Sequence, residues 1–294
     1  MTTLKSATIH TYSLATIRFF AKRGEVSKPG TGFILRRKDE FFLVTALHML
    51  TGRHWKTKKP LSDSGFLPET FSLMLPYYKL TPPNRHGFRW VKYDIAPMSV
   101  DQGASEGVAP WYVHPRYRED VDVCVVPLSD LPQRLLDQEK AAGNAELSSN
   151  IYAFDWVNAP QLKTAVGDDV FVVGFPEHIR TAGEFPIWKR GSVASEPDLP
   201  IEDLPYLLID AGTRSGMSGS PVVRRQPVGI STFGENSELS LFKSPAAELF
   251  GVYSGRFGAD DITSQLGIVW KQDVISEIIT TPTFGKSSLC TWLW

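Results

Sequence analysis

Cysteine is nearly absent from this chain of 294 residues: only Cys124 and Cys290 occur, and neither sits at a metal-ligand spacing. A disulfide framework is therefore not expected, and a reducing compartment is. Excess charge is lacking as well, because 31 basic and 32 acidic residues leave a formal net charge of -1. Such a surface exerts no long-range pull on nucleic acid or anionic lipid. The basic residues are scattered except in Arg36-Arg37-Lys38 and from Arg53 to Lys59, short runs that read as solvated loops. No apolar stretch approaches the ~20 residues of a membrane-spanning helix. The polar start, Met1 to His10, has no secretory character. A cytoplasmic location is expected, with neither membrane nor nucleic acid as partner.

What is present describes a folded, water-soluble body: 42% of residues are hydrophobic and 21% charged. Short β-rich runs recur between Gly, Pro and Asn, among them Ala15 to Phe20, Gly32 to Leu35, Phe41 to Thr45, Asp122 to Leu128 and Asp169 to Gly174. Tyr206 to Asp210, Pro221 to Ile230, Leu249 to Tyr253 and Gly267 to Lys271 continue the series. This spacing predicts an all-β protein rather than alternating βαβ units. Helical periodicity is confined to Leu131 to Leu147 and to the tail Asp273 to Ile279. The first of these reads as a connector over 131–150, separating an N-terminal lobe (1–130) from a C-terminal one (151–294). Gly52 to Pro115, rich in Pro, Gly and polar residues, reads as long loops with two or three strands.

Gly216-Met217-Ser218-Gly219-Ser220-Pro221 is the most informative hexapeptide. Small residues on both sides of a serine let the backbone turn sharply, expose the hydroxyl and aim adjacent N–H groups at one spot, as acyl transfer requires. A plain Gly/Ser turn between two strands would look the same without a base nearby. All six histidines, His10, His48, His54, His86, His114 and His178, precede Ser218. The order serine, acid, histidine is thus excluded if Ser218 is the nucleophile.

His48 alone ends an apolar run, Phe41 to Leu47, so a rigid strand would deliver it to the edge of a lobe. Asp122 heads Val123-Cys124-Val125-Val126, and a carboxylate at the start of so apolar a strand needs a partner if buried. Each has a bland alternative, a core histidine or a strand cap, but the two explain each other if the carboxylate orients the imidazole. Asp94 and Asp120 are rival acids. Asp122 is preferred because its strand stays apolar, whereas Asp94 soon meets Pro97.

Three ordered motifs resemble those of trypsin-like serine peptidases: Thr45-Ala46-Leu47-His48, Asp122-Val123-Cys124-Val125 and Gly216 to Pro221. His114-Pro115-x-Tyr117 resembles the family's lead-in to its aspartate, and Gly30-Thr31-Gly32-Phe33 a strand common in its bacterial branch. The resemblance implies two six-stranded antiparallel β-barrels of the chymotrypsin-like kind, with a short C-terminal helix. It implies His48 as general base, Asp122 as its orienting partner and Ser218 as nucleophile, with an oxyanion hole from the N–H groups of Gly216 and Ser218. Gly251-Val252-Tyr253-Ser254-Gly255-Arg256 resembles the strand that pairs with substrate backbone, its Ser254, Gly255 and Arg256 adding the hydrogen bonds, and Gly267-Ile268-Val269 resembles the following wall of the specificity pocket. No metal or organic cofactor is implied, and the expected partner is a protein or peptide substrate.

Departures from the family pattern also carry information. The position six before Ser218, at the pocket floor, is Gly212, so cleavage after Arg or Lys is not expected. Thr213 resembles Glu-preferring relatives, but these use a late histidine and none follows His178. Gly212, Thr213 and Gly267 together predict a neutral pocket for small or medium side chains. Met217 stands where digestive members carry an aspartate that pairs with a newly cut amino terminus, so an oxyanion loop set by its own turn, or by a regulatory partner, is expected. A peptide-binding module lacking catalysis and an esterase are the alternative readings.

Overall fold

The computed structural model describes residues 9–62, 66, 68, 70–81, 85–95, 108–141, 150–155, 162–176, 179, 184–233, 238–242, 246–257 and 266–286. Cys290, His178 and the end of the expected connector helix lie outside them. A one-turn helix α1 (Thr11–Ala15) leads into β1 (Thr16–Arg23), β2 (Val26–Arg37), β3 (Glu40–Thr45) and the short helix α2 (Leu47–Thr51). Next come β4 (Thr70–Thr81), β5 (Arg85–Ile95), β6 (Val108–Val113), β7 (Cys124–Pro127) and helix α3 (Leu131–Ala141). After the two-residue strands β8 (Asn150–Ile151) and β9 (Phe154–Asp155), the second lobe supplies β10 (Asp169–Gly174), β11 (Ile187–Val193), β12 (Tyr206–Asp210) and β13 (Pro221–Gln226). A hairpin of β14 (Gly229–Phe233) and β15 (Glu238–Phe242) precedes β16 (Ala246–Arg256) and β17 (Leu266–Lys271). Helix α4 (Gln272–Thr280) and β18 (Thr283–Lys286) follow.

The all-β, chymotrypsin-like expectation holds, but the lobes differ in construction. The second is a closed barrel of six strands, β10-β11-β12-β17-β16-β13. The first is a ten-stranded sheet rather than a six-stranded barrel, in the order β18-β6-β7-β3-β2-β1-β4-β5 with β8 on β4 and β9 on β2. Two features enlarge it. The Gly52 to Pro115 stretch holds a long β4–β5 hairpin, paired from Phe71 opposite Ile95 to Thr81 opposite Arg85. Later segments also join it, since β9 pairs parallel to β2 and β18 returns from the far end of the chain to pair with β6.

Alternation drives the strands. Along β1, Ile17, Phe19 and Ala21 are buried while Arg18, Phe20 and Lys22 are only partly covered, the period of two that turns one face inward. One apolar cluster fills the first sheet, with Ile17, Phe19, Leu43 and Trp111 at its centre. A second fills the barrel, with Val170, Leu207, Ile209 and Val269. A third joins sheet to barrel: Phe33, Val44 and Val123 meet Val223, Val252 and Trp270, and α4 lays Val274, Ile275, Ile278 and Ile279 against them. This last core brings the residues of β3 and of the 114–123 segment face to face with the end of β13 and with β16.

Candidate active site

Strand β3 does not run on to His48. The chain turns at Ala46 into α2, which Gly52 stops in the left-handed conformation, φ 67°, donating its N–H to the His48 carbonyl at 2.8 Å. His48 therefore sits in the first turn of a helix, where backbone N–H groups have no partner within the helix. Asp122, fully buried, supplies one. Its Oδ1 accepts the His48 backbone N–H at 2.8 Å, and its Oδ2 lies 2.6 Å from His48 Nδ1. Oδ2 also accepts the hydroxyl of the buried Ser254 at 2.6 Å. One carboxylate thus caps the helix and orients the ring that the helix carries, its burial offset by three donors. The rival acids lie elsewhere: Asp120 pairs with Lys58 at 2.9 Å, and Asp94 on β5 with Ser72 and Lys92.

Ser218 lies on the turn between β12 and β13. Gly216 (φ 90°) and Gly219 (φ 86°) both take left-handed backbone, and a Cβ on Gly219 would collide with the Thr31 carbonyl and the Thr45 hydroxyl. The Gly219 N–H reaches the Tyr253 carbonyl at 2.8 Å, and the Tyr253 N–H reaches the Ser220 carbonyl at 2.9 Å. Among the described residues the N–H groups of Gly216 and Ser218 have no hydrogen-bond partner. The Ser218 hydroxyl donates to the Ser254 carbonyl at 3.0 Å rather than to the imidazole, although both line one cleft. Met217 is fully buried in the barrel core.

A polar seam joins the two halves. Thr45 Oγ1 donates to the Thr31 carbonyl at 2.8 Å, and the Thr31 N–H reaches the Ser218 carbonyl at 3.3 Å. Thr31 Oγ1 donates to the Gly216 carbonyl at 2.7 Å and accepts the Phe175 N–H at 3.1 Å. Sequence reasoning saw Thr31 only as part of a strand. Upstream of Asp122, His114 accepts the N–H groups of Arg116 and Tyr117 on Nδ1 and places Nε2 2.8 Å from Glu277 of α4.

The cleft has a volume of about 520 Å³ and holds His48, Ser218, Thr213, Ser254, Gly255 and Arg256 in its lining. Of the other pocket residues expected from sequence, Gly212 is not in the lining, and Gly267 lies against the ring of Tyr253. The structure adds Trp55 and Leu61, and it places in the cleft His54, set aside in the sequence as lying in a polar context, and Tyr253, read there only as part of the substrate-pairing strand. Trp55 packs edge-on against Trp270 of the barrel, a contact between residues too distant in the chain to leave a local signal. His54 accepts the N–H groups of Lys56 and Thr57 at 3.2 Å each. Burial pushes its pKa below the ordinary histidine value; the nearby Asp122 carboxylate opposes that shift and the nearby His48 adds to it. On its β13 side, β16 is paired only as far as Val252, opposite Pro221, while β17 continues beside it to Arg256. Ser254 and Gly255 therefore have no strand beside them on that side among the described residues.

A family model described as a trypsin-like peptidase domain matches residues 30–230. The chain belongs to this family. The match takes in Thr31, His48, Asp122 and Ser218, and stops short of β16. As a trypsin-like peptidase domain the chain has the fold of serine proteases. Comparison with curated protein sequences finds no match. Among solved structures it is similar to a serine endoprotease from Yersinia pestis, at 12% identity and a TM-score of 0.44, covering 94% of this chain and 67% of that one. An HtrA-type protease, AlgW, with a tripeptide gives 12% identity and a TM-score of 0.46, over 91% of this chain and 60% of that one. A protease from M. tuberculosis in its active form gives 13% and 0.44, over 92% and 82%.

Proposed function

We propose that this trypsin-like domain is a serine endopeptidase in which Ser218 is the nucleophile, His48 the general base and Asp122 its orienting partner. The observation that carries the reading is the fully buried Asp122, 2.6 Å from Nδ1 of His48, a histidine that lines the same cleft as a serine held between two left-handed glycines. With Nδ1–H directed at the carboxylate, Nε2 is left to take a proton. A rotation of the Ser218 side chain away from the Ser254 carbonyl brings the hydroxyl to it, a tightening that belongs to the substrate complex.

Ser218 Oγ then bonds to the scissile carbonyl carbon as its proton passes to His48. The carbonyl oxygen, now negative, takes the open N–H groups of Gly216 and Ser218. The C–N bond breaks, the leaving amine takes the proton from His48, and water repeats the sequence to release the acid. The edge of Ser254 and Gly255, with no strand beside it among the described residues, adds an extended peptide as a further strand, which favours protein or peptide over simple esters.

The alternative is a binding module that holds peptide on the same edge without cutting it, a reading favoured by the Ser218 hydroxyl being turned to Ser254. A fluorophosphonate probe separates the two. The proposal expects stoichiometric labelling of the wild type, none of Ser218→Ala, and a loss of about 10⁶ in kcat in that variant. Binding of peptide with no labelling of the wild type establishes the silent module.

A further inference from the structure

We infer that Tyr253 determines which substrates are cut, by filling the base of the cleft so that only Gly, Ala or Ser fits on the acyl side of the scissile bond. The inference rests on the serine-peptidase reading and deepens it.

A carbonyl carbon attacked by Ser218 has its Cα only ~1.5 Å away. With the carbonyl oxygen toward the N–H groups of Gly216 and Ser218, the side chain on that Cα starts in the gap between residues 213–215 and the Ser254 to Arg256 edge. From sequence, Gly212, Thr213 and Gly267 line that gap and predict room for a small or medium neutral side chain. In the fold the phenol of Tyr253 is part of its lining and lies over Gly267. Tyr253, immediately before Ser254, is 2% exposed, and its hydroxyl is hydrogen-bonded to that of Thr213, itself 6% exposed. Its ring covers Gly267 so closely that a Cβ there would come within 2.6 Å of Cε2. The room left by a residue without a side chain is taken up by the phenol.

The ring is not a movable gate. Its backbone is tied on both sides to the nucleophile turn, through the Ser220 carbonyl and the Gly219 N–H. The ring belongs to the barrel core with Val170, Leu207, Ile209 and Val269. Swinging it out would leave the Thr213 hydroxyl buried without a partner and open a void in that core. A long side chain on the substrate therefore meets a wall, while a methyl or hydroxymethyl group does not.

The test uses the full chain, with N-acyl-amino-acid p-nitrophenyl esters of Ala, Leu, Phe and Arg as substrates and fluorophosphonate labelling run in parallel. In the wild type, kcat/KM is expected to favour the Ala ester over Leu, Phe and Arg by about 10²-fold or more, since hydrophobic-pocket discrimination runs at about 10–200-fold per methylene. Tyr253→Val opens the floor and moves the kcat/KM ratio toward Leu and Phe by at least tenfold, a ratio from which any overall loss of rate cancels. Tyr253→Phe keeps the ring and the small preference, so it and the wild type decide the matter if the valine variant does not fold. A wild type that labels but prefers Leu, Phe or Arg overturns the inference alone, as does a folded Tyr253→Val variant with an unchanged profile. A wild type that neither labels nor hydrolyses any ester overturns the peptidase reading, and this inference with it.

Discussion

His48 and Asp122 are held just beyond the ends of β3 and β7 of the ten-stranded sheet, whereas Ser218 arrives on the rim of a closed barrel, and the two halves are held by different forces. On the sheet side, a single carboxylate gathers three donors, and its oxygens fix both the imidazole and the helix that carries it. On the barrel side almost everything is backbone: left-handed glycines, carbonyls and N–H groups of the 216–220 turn, and the strand hydrogen bonds of Tyr253. The first half can therefore be disabled by exchanging one atom with the fold intact. The second resists side-chain changes except where a hydroxyl from the sheet crosses over to hold the turn. Three substitutions separate these cases.

Asp122→Asn attacks the sheet side and has the largest expected effect. The amide replaces one acceptor oxygen with a donor, which then faces the His48 N–H or the Nδ1–H and Ser254 hydroxyl, so ring and helix cap cannot both be satisfied. Loss of the correct tautomer lowers kcat by about 10⁴ in such triads. Stability falls by about 1–3 kcal/mol from the unpaired buried groups. Labelling rate by the fluorophosphonate probe and the thermal midpoint measure the two effects. A variant that labels as fast as wild type removes Asp122 from the reading.

Thr31→Val tests the crossing point. The valine keeps the shape but releases the Gly216 carbonyl and leaves the Phe175 N–H without its acceptor. Because the Gly216 carbonyl belongs to the nucleophile turn, lying in the chain between the N–H groups of Gly216 and Ser218, the turn loses the contact that fixes its orientation. Direct removal of one oxyanion donor lowers kcat by about 10²–10³, and an indirect loosening is expected to reach only the low end, about 10². The drop should fall in kcat with KM little changed, because the oxyanion exists only beyond the ground state. Thr31→Ser, which keeps the hydroxyl, should stay near wild type. Equal losses in both variants mark Thr31 as a packing residue instead. Besides Thr31 on the Gly216 carbonyl, the turn is anchored by Met217, buried in the barrel core.

Legibility in the sequence followed the range of the interactions. Strands whose own side chains alternate or run apolar were readable almost to the residue; Asp169–Gly174 and Tyr206–Asp210 have the expected bounds. β5 was hidden because Arg85, His86, Gly87, Lys92 and Asp94 break its pattern, and its strand character comes from pairing with β4. β18 is four residues whose only reason to extend is the edge of β6, far away in the chain. The residue types and chain order of the candidate site were readable, since histidine, acid and serine motifs are local. The helix under His48 was not, because Leu47, Met49 and Leu50 prolong the apolar run of β3; Gly52, as a helix stop, was the available signal. Tyr253 and Thr31 act on Gly267, Thr213 and Gly216, partners that only the closed barrel and the lobe interface bring near.

Ser254→Ala is the gentlest break, because it removes one side-chain atom that the barrel lends to the sheet half. The alanine keeps the backbone carbonyl that receives the Ser218 hydroxyl and leaves Asp122 two of its three donors. A hydrogen bond to a charged group contributes about 1.5–3 kcal/mol. Only the part that changes as His48 gains its proton alters the rate, so about a tenfold loss in kcat is expected. The decisive measurement is the double variant with Asp122→Asn. If Ser254 acts through the carboxylate, the two effects are strongly non-additive, and Ser254→Ala costs less than about twofold once the aspartate is gone. Full additivity would mean that the hydroxyl supports β16 and the peptide edge rather than Asp122.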